Sequence, residues 1–446
     1  MTGGPRAFDG IDTPSARLAD ACVHCGFCLP ACPTYLLWGE EMDSPRGRVY
    51  LIKGALENRT EISPSFVEHF DACLGCMACV PACPSGVQYG PLLERTRAQI
   101  ERHHQRPLGE RLLRALLFRV LPYPMMLRLA LLPLAAGRRI VLALARRPMF
   151  GGLPASVRTL LNVAPLLSMS SLAARLPART PARGEPRLRV GVLAGCVQRV
   201  VFPQVNQATV RVLAAEGCDT FVPAGQGCCG ALSRHAGRLE EARRFARQTI
   251  EVFERAGVDR IVVNSAGCGS SMKEYGELLA EDPAWASRAE AFSGRVRDVS
   301  EVVVELGEPR AVRHPLEMRT VAYHDACHLA HAQGVRAPPR ALLNTIPGLE
   351  VLEIGEPGVC CGSAGIYSVV QPGPAAELGE RKARHIAALA PDVIASGNPG
   401  CTLQIAAACE RLGFRRPVMH PIELLDASIT TKPTTIAKDT NPVQDS

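Results

Sequence analysis

The chain of 446 residues is 47% hydrophobic and 21% charged, a balance that builds packed cores and excludes a disordered protein. Its formal net charge of +7 comes with only seven Tyr and two Trp, and no basic block is interleaved with aromatics, so no nucleic-acid partner is expected. Eighteen Cys in tight repeated spacings, behind an N-terminus with no apolar signal region, point to metal ligation in the cytoplasm rather than to a secreted disulfide framework.

The expected fold class is α+β and multi-domain. A helical two-[4Fe-4S] ferredoxin domain is expected over 1–105 and a basic helical linker over 106–185. Two α/β cysteine-rich repeats follow, over 186–310 and 311–426, and then a disordered polar tail over 427–446.

The first domain is carried by two identical runs. Cys22, Cys25, Cys28 and Cys32-Pro33 follow C-x2-C-x2-C-x3-C-P, and Cys73, Cys76, Cys79 and Cys83-Pro84 repeat it. In this pattern three thiolates wrap one iron–sulfur cube and the fourth Cys ligates the other cube. Crossed ligation therefore assigns Cys22, Cys25, Cys28 and Cys83 to one [4Fe–4S] cluster, and Cys73, Cys76, Cys79 and Cys32 to the second. A zinc site would favour separated Cys pairs over four thiols in one run.

Between the runs, Ser44-Pro45 reads as an N-cap and first helical position, followed by an apolar stripe of Val49, Ile52 and Leu56. Arg46 and Arg48 at this helix start would face either an acidic partner surface or solvent. From Arg111 to Gly184 there are twelve Arg and no acidic residue. No apolar run there reaches the roughly 18–20 residues of a spanning helix. Pro122, Pro124 and Pro133 are expected to divide the segment into short helices. Two readings stand: a helical linker packing a Leu face on the protein, or a basic amphipathic surface resting on anionic lipid or a partner.

The C-terminal half is an internal repeat. Cys196 to Cys228 spans 32 positions and Cys327 to Cys360 spans 33; Cys229 to Cys268 spans 39 and Cys361 to Cys401 spans 40. Apolar runs VGVL, RIVVN, TVAY and DVIAS read as buried parallel strands of a doubly wound sheet. Between them, Leu239, Ala242, Phe245, Ala246, Ile250 and Phe253 share one helical face that Gly257 closes. Cys196, Cys268, Cys327 and Cys401 each follow a strand, at the carboxyl edge where open α/β sheets bind ligands. With the paired Cys228-Cys229 and Cys360-Cys361 they offer an additional metal site: a third redox cofactor or thiol pair on one reading, a structural set on the other. His324, His328 and His331, around Cys327, either serve that site or pack and cap. Cys218 and Cys409 read as buried core thiols.

These motifs together resemble the cysteine-rich iron–sulfur subunits of flavin-linked dehydrogenases. CVHCGFC, PTYLLWGEEMDSPRGRVYLIK, SAGCGSSMKEYG and VCCGSAG look most like the glycolate oxidase (glycolate dehydrogenase) iron–sulfur subunit family, over residues 20–426. The resemblance implies an electron-transfer subunit with no catalytic residue of its own, in a hetero-oligomer with FAD-containing dehydrogenase subunits. FAD would sit on those partners only, since no G-x-G-x-x-G follows a strand here. Electrons would pass to a membrane quinone or another acceptor, with the complex cytoplasmic and peripheral on the inner membrane. The alternatives are the related subunits of anaerobic glycerol-3-phosphate or lactate dehydrogenase, or a heterodisulfide-reductase-like thiol enzyme. Against the last, Ser271 and Gln404 stand where that family's repeats end in a further Cys.

Overall fold

The structure, a computed structural model, describes residues 7–145 and 169–430. Its N-terminal part is helical: α1 (Ala16–Asp20), α2 (Pro33–Trp38), α3 (Pro45–Leu56), α4 (Pro64–Ala72) and α5 (Tyr89–His103). Ser44 caps α3 by accepting from the Gly47 N–H at 3.0 Å, and Pro45 takes the first helical position. Gly47 is required by close approach, because a Cβ there would lie 2.0 Å from the Glu41 carbonyl oxygen. Val49 and Ile52 of the expected stripe are buried in a core with Phe66, Phe70, Leu92 and Leu93.

Next come α6 (Leu108–Val120) and α7 (Pro124–Ala145), bent by 111° where they meet. Pro133 lies inside α7 rather than ending it. The carbonyl it leaves without a partner belongs to Leu129, whose side chain is exposed, so water can take the lost bond. Among the described residues no single helix is long and apolar enough to cross a membrane.

Each cysteine-rich repeat is a small, mainly parallel sheet with helices on it. The first has the order β1-β3-β2-β4-β5, with β1 (Arg179–Thr180), β2 (Leu188–Val192), β3 (Cys218–Phe221), β4 (Arg260–Val263) and β5 (Val296–Asp298). Its edge strand β1 is antiparallel and comes from residues expected in the linker. The second has the order β7-β6-β8-β9, with β6 (Thr320–His324), β7 (Glu350–Glu353), β8 (Val393–Ser396) and β9 (Val418–Met419), all parallel. The four predicted strand runs are β2, β4, β6 and β8, at the sheet centres, where near-continuous apolar character is needed on both faces. The predicted helix forms over Leu239–Ala256 with its six apolar positions buried, and Gly257 ends it in a left-handed conformation at φ 57°.

The two sheets share one apolar core, in which Val190, Val192 and Val262 meet Val321, Tyr323 and Val393. The helix Pro421–Ile429 closes this core, so the first three residues of the expected tail are helical. The rest of the tail, from 431, lies outside the described residues.

Candidate iron–sulfur centre and the cysteine-lined cavity

The two ferredoxin runs fold alike. His24 (φ 55°) and Gly26 (φ 87°) are left-handed in the first loop, and Gly75 (φ 63°) and Met77 (φ 59°) occupy the same two places in the second. Alternating hand of this kind turns successive backbone N–H groups inward, a concavity suited to an anionic cluster. All eight cysteines are free thiols. Repeated left-handed loops around unpaired thiols at this spacing fit [4Fe–4S] clusters.

The two sets differ in setting. Cys32, Cys73, Cys76 and Cys79 are buried, whereas Cys22, Cys28 and Cys83 are half-buried and Cys25 is exposed. Cys32 is close enough to Cys76 and Cys79 for its charge to act on both, and Cys28 is close enough to act on Cys79, so the two runs face one another. Burial opposes ionisation and raises the Cys76, Cys79 and Cys28 thiols. At Cys73 burial acts the same way, but the Arg48 and Arg97 guanidinium groups outweigh it and hold the thiol below its usual range.

Arg48 corrects the expectation of an outward-facing pair at the start of α3. It is 1% exposed and donates to the Asp43 carbonyl (2.6 Å), the His69 carbonyl (2.6 Å) and Thr34 Oγ1 (3.2 Å), with Asp43 Oδ1 at 3.1 Å. The turn before α3 supplies acceptors enough to take a charge inside. Arg46 binds Glu41 and donates to the His24 carbonyl at 3.0 Å, so it braces the first cluster loop.

Seven of the eight repeat-site cysteines converge on one cavity of 330 Å³, and Cys361 stands behind its wall. Cys196, Cys228, Cys229 and Cys268 line it from the first repeat, and Cys327, Cys360 and Cys401 from the second. Cys73 and Leu74 of the ferredoxin part also reach it. Cys196 Sγ lies 3.6 Å from Cys228 Sγ, and Cys327 Sγ lies 4.0 Å from Cys360 Sγ. Shared hydrogen bonding lowers the Cys228 thiol and raises that of Cys196. The glycine after each Cys pair is left-handed, and a Cβ on Gly362 (φ 86°) would stand 2.6 Å from the Ala375 carbonyl. That is why the pair is followed by Gly. The Ala266 N–H donates to the Gly397 carbonyl at 3.0 Å, which ties the Cys268 loop of the first repeat to the Cys401 loop of the second.

The three histidines separate. His331 Nε2 bonds the Gly358 carbonyl (3.0 Å) and its Nδ1 meets Arg336, so it braces a loop. His328 lines the cavity and lies tilted against His235, at 4.7 Å between ring centroids. His324 is buried at the end of β6. Cys218 and Cys409 lie in the cores, as expected, and burial pushes their thiols up to about 12 and about 11. His235 was not singled out by the sequence, which carries no spacing that links it to the second repeat.

A paired set of four-cysteine loops joined to duplicated cysteine-rich α/β domains defines an iron–sulfur electron-transfer protein. The comparisons agree: the 4Fe-4S dicluster domain family matches residues 18–87, and the Cysteine-rich domain family matches residues 190–273 and 321–406. The chain is 37% identical to the probable glycolate oxidase iron-sulfur subunit of Bacillus subtilis, over 91% of this chain and 92% of that protein. It is 36% identical to the glycolate oxidase iron-sulfur subunit of Escherichia coli, over 92% and 94%. Lactate utilization protein A of an Exiguobacterium species is 30% identical over 54% of this chain and 98% of its own length. The chain belongs to the family of glycolate oxidase iron–sulfur subunits.

Proposed function

We propose that this chain relays electrons from a partner flavoprotein that oxidises glycolate to glyoxylate, and passes them toward a quinone at the inner membrane surface. The observation that carries this reading is near full-length similarity to two glycolate oxidase iron–sulfur subunits, together with eight thiols in crossed-cluster spacing. Cys22, Cys25, Cys28 and Cys83 would hold one cluster, and Cys73, Cys76, Cys79 and Cys32 the other. Bound [4Fe–4S] clusters supply one-electron redox centres whose potential follows charge, hydrogen bonding and exposure.

The residues of this chain set the direction. Exposed Cys25 lies between Val23 and Phe27, themselves 67% and 69% exposed, an apolar rim suited to docking a flavin-bearing partner. The other set is buried, with Arg48 and Arg97 stabilising negative charge at Cys73. FAD is assigned to the partner subunits in this hetero-oligomer.

The acceptor side is argued from α6 and α7. Leu108, Leu112 and Leu116 recur on one exposed face of α6, and Met125, Met126 and Leu129 are exposed on α7. Arg111 and Arg119 are exposed beside them. A bent, cationic, apolar-faced pair suits the surface of an anionic bilayer. The function is tested by co-purifying the chain with its native partners and assaying dye reduction. Glycolate-dependent reduction that requires this chain is expected. Preference for lactate or glycerol 3-phosphate would move the assignment to a sister complex, and turnover by this chain alone would end it.

A further inference from the structure

The second repeat contains a mixed nitrogen–sulfur site that the first lacks. His324 ends β6, Cys361 follows Cys360 in the loop ahead of Gly362, and Cys401 lies in the first turn of the helix Pro399–Arg411. One donor atom from each of His324, Cys361 and Cys401 lies within 4.8 Å of the others, and all three residues are buried. His324 is 2% exposed, and neither of its ring nitrogens has a hydrogen-bond partner. A buried imidazole without a partner forfeits the hydrogen bonds it makes to water in the unfolded chain and calls for an occupant.

The fold itself does not demand this histidine. His324 stands three residues before Cys327, and the residue three before Cys196 is Leu193. Leu193 is buried against Cys228 and Cys229 in an apolar cluster. The same sheet edge is thus closed by leucine in one copy and by imidazole in the other.

Two thiolates and a neutral imidazole form the donor set of a borderline-soft divalent cation. We propose that the second repeat binds a single such cation, of the zinc class, through His324, Cys361 and Cys401. Cys360, whose sulfur interacts with that of Cys361, is the adjacent thiol for a fourth position. Lys382 supports the charge balance. It is 2% exposed, donates to the Glu356 carbonyl at 2.6 Å, and its charge acts on Cys360 and Cys361. Two thiolates neutralise a divalent cation, and Lys382 balances a third. Asn398 Nδ2, 3.5 Å from Cys401 Sγ, supplies an outer hydrogen bond to that ligand.

Zinc has no redox chemistry. The bound cation would pin β6, the Cys360-Cys361 loop and the helix Pro399–Arg411 together. Cys360 and Cys327 pack in one cluster with Cys76, so this pin fixes the wall beside the buried ferredoxin loop. The second repeat is then a structural support, while the first, with Leu193 in the place of His324, offers sulfur donors alone.

The test is metal analysis and zinc-edge X-ray absorption on the anaerobically purified full chain with its partner subunits. About one zinc per chain is expected, with two or three sulfurs near ~2.3 Å and at least one nitrogen near ~2.0 Å. His324→Ala should lower zinc occupancy about tenfold or more after chelator dialysis, with cubane iron and paramagnetic signals unchanged. His324→Cys should keep zinc in an all-sulfur shell, which separates ligand loss from misfolding. A wild-type chain with no zinc, with an all-sulfur zinc shell, or with an iron–sulfide cluster at these residues would overturn the proposal. Full zinc retention in His324→Ala would do the same.

Discussion

Arg234 Nε donates to Glu94 Oε2 at 2.6 Å across the seam between α5 and the first repeat, with both side chains almost wholly buried. Arg234 also meets Glu277 at 2.7 Å, and Glu94 holds His235 Nδ1 at 3.0 Å. Burial opposes ionising Glu94, yet Arg234 and His235 hold its carboxyl down at about 2. Removing one partner leaves an uncompensated buried charge. Arg234→Met should cost about 3–5 kcal/mol, and the double variant with Glu94→Gln should recover part of that loss. Chemical denaturation of the four proteins measures it, and strict additivity would show that the pair does not couple the two domains.

Crossed ligation has its own signature. Cys32→Ser should perturb the same cluster as Cys76→Ser, although Cys32 belongs to the other run. Cys83→Ser should match Cys25→Ser. Paramagnetic resonance on the four variants compares them. If Cys32→Ser altered the signal that Cys25→Ser alters, each run would hold its own cluster. The wild-type chain should contain about eight cubane irons with about eight sulfides.

The last helix predicts a pH dependence. Burial pushes the Glu423 carboxyl up to about 7, against the usual 4.5, although its Oε2 accepts the His420 N–H at 2.7 Å. A raised carboxyl binds its proton more tightly in the folded state than in the unfolded state. Stability is therefore fullest below pH 4.5 for this group and declines as pH rises through 7. Glu423→Gln should flatten that decline and gain roughly 1–3 kcal/mol at pH 8. Thermal melts of both proteins from pH 4.5 to 8 span the window between the two values and show whether the slopes differ, and parallel slopes would place the titration elsewhere.

For the α6–α7 surface, flotation with anionic vesicles is the measurement. The wild-type chain should rise with the vesicles at low salt and dissociate as salt increases. Leu112→Glu with Leu116→Glu should abolish binding without changing the cubane spectra, because both residues are exposed. Equal binding to neutral vesicles would remove the electrostatic part of the argument.

Local patterns made much of this protein legible. The Cys runs, the four central strands and the Leu239–Ala256 helix depend on spacings of a few residues, and each lies where its pattern puts it. What escaped were properties of packing. Arg48 looks like a surface charge until the preceding turn folds its carbonyls around it. His324, His328 and His331 share a helical spacing, but a strand ends at His324 and the helix begins after Cys327, so the three rings go to different places. Pro133 was expected to stop a helix that runs past it on an exposed face. That two repeats 131 positions apart enclose a common void depends on how their sheets meet, and no motif within either repeat encodes it.

That common void has an evolutionary corollary. Because Cys196 and Cys327 look into the same space, each duplicate forms part of the other's shelter from solvent. After duplication neither copy could drift freely, yet the wall they share let one carry an imidazole at His324 where its twin carries Leu193. Divergence of the pair is therefore constrained in shape and permissive in chemistry, and swapping homologous halves between relatives should fail at the lining before it fails in the sheets.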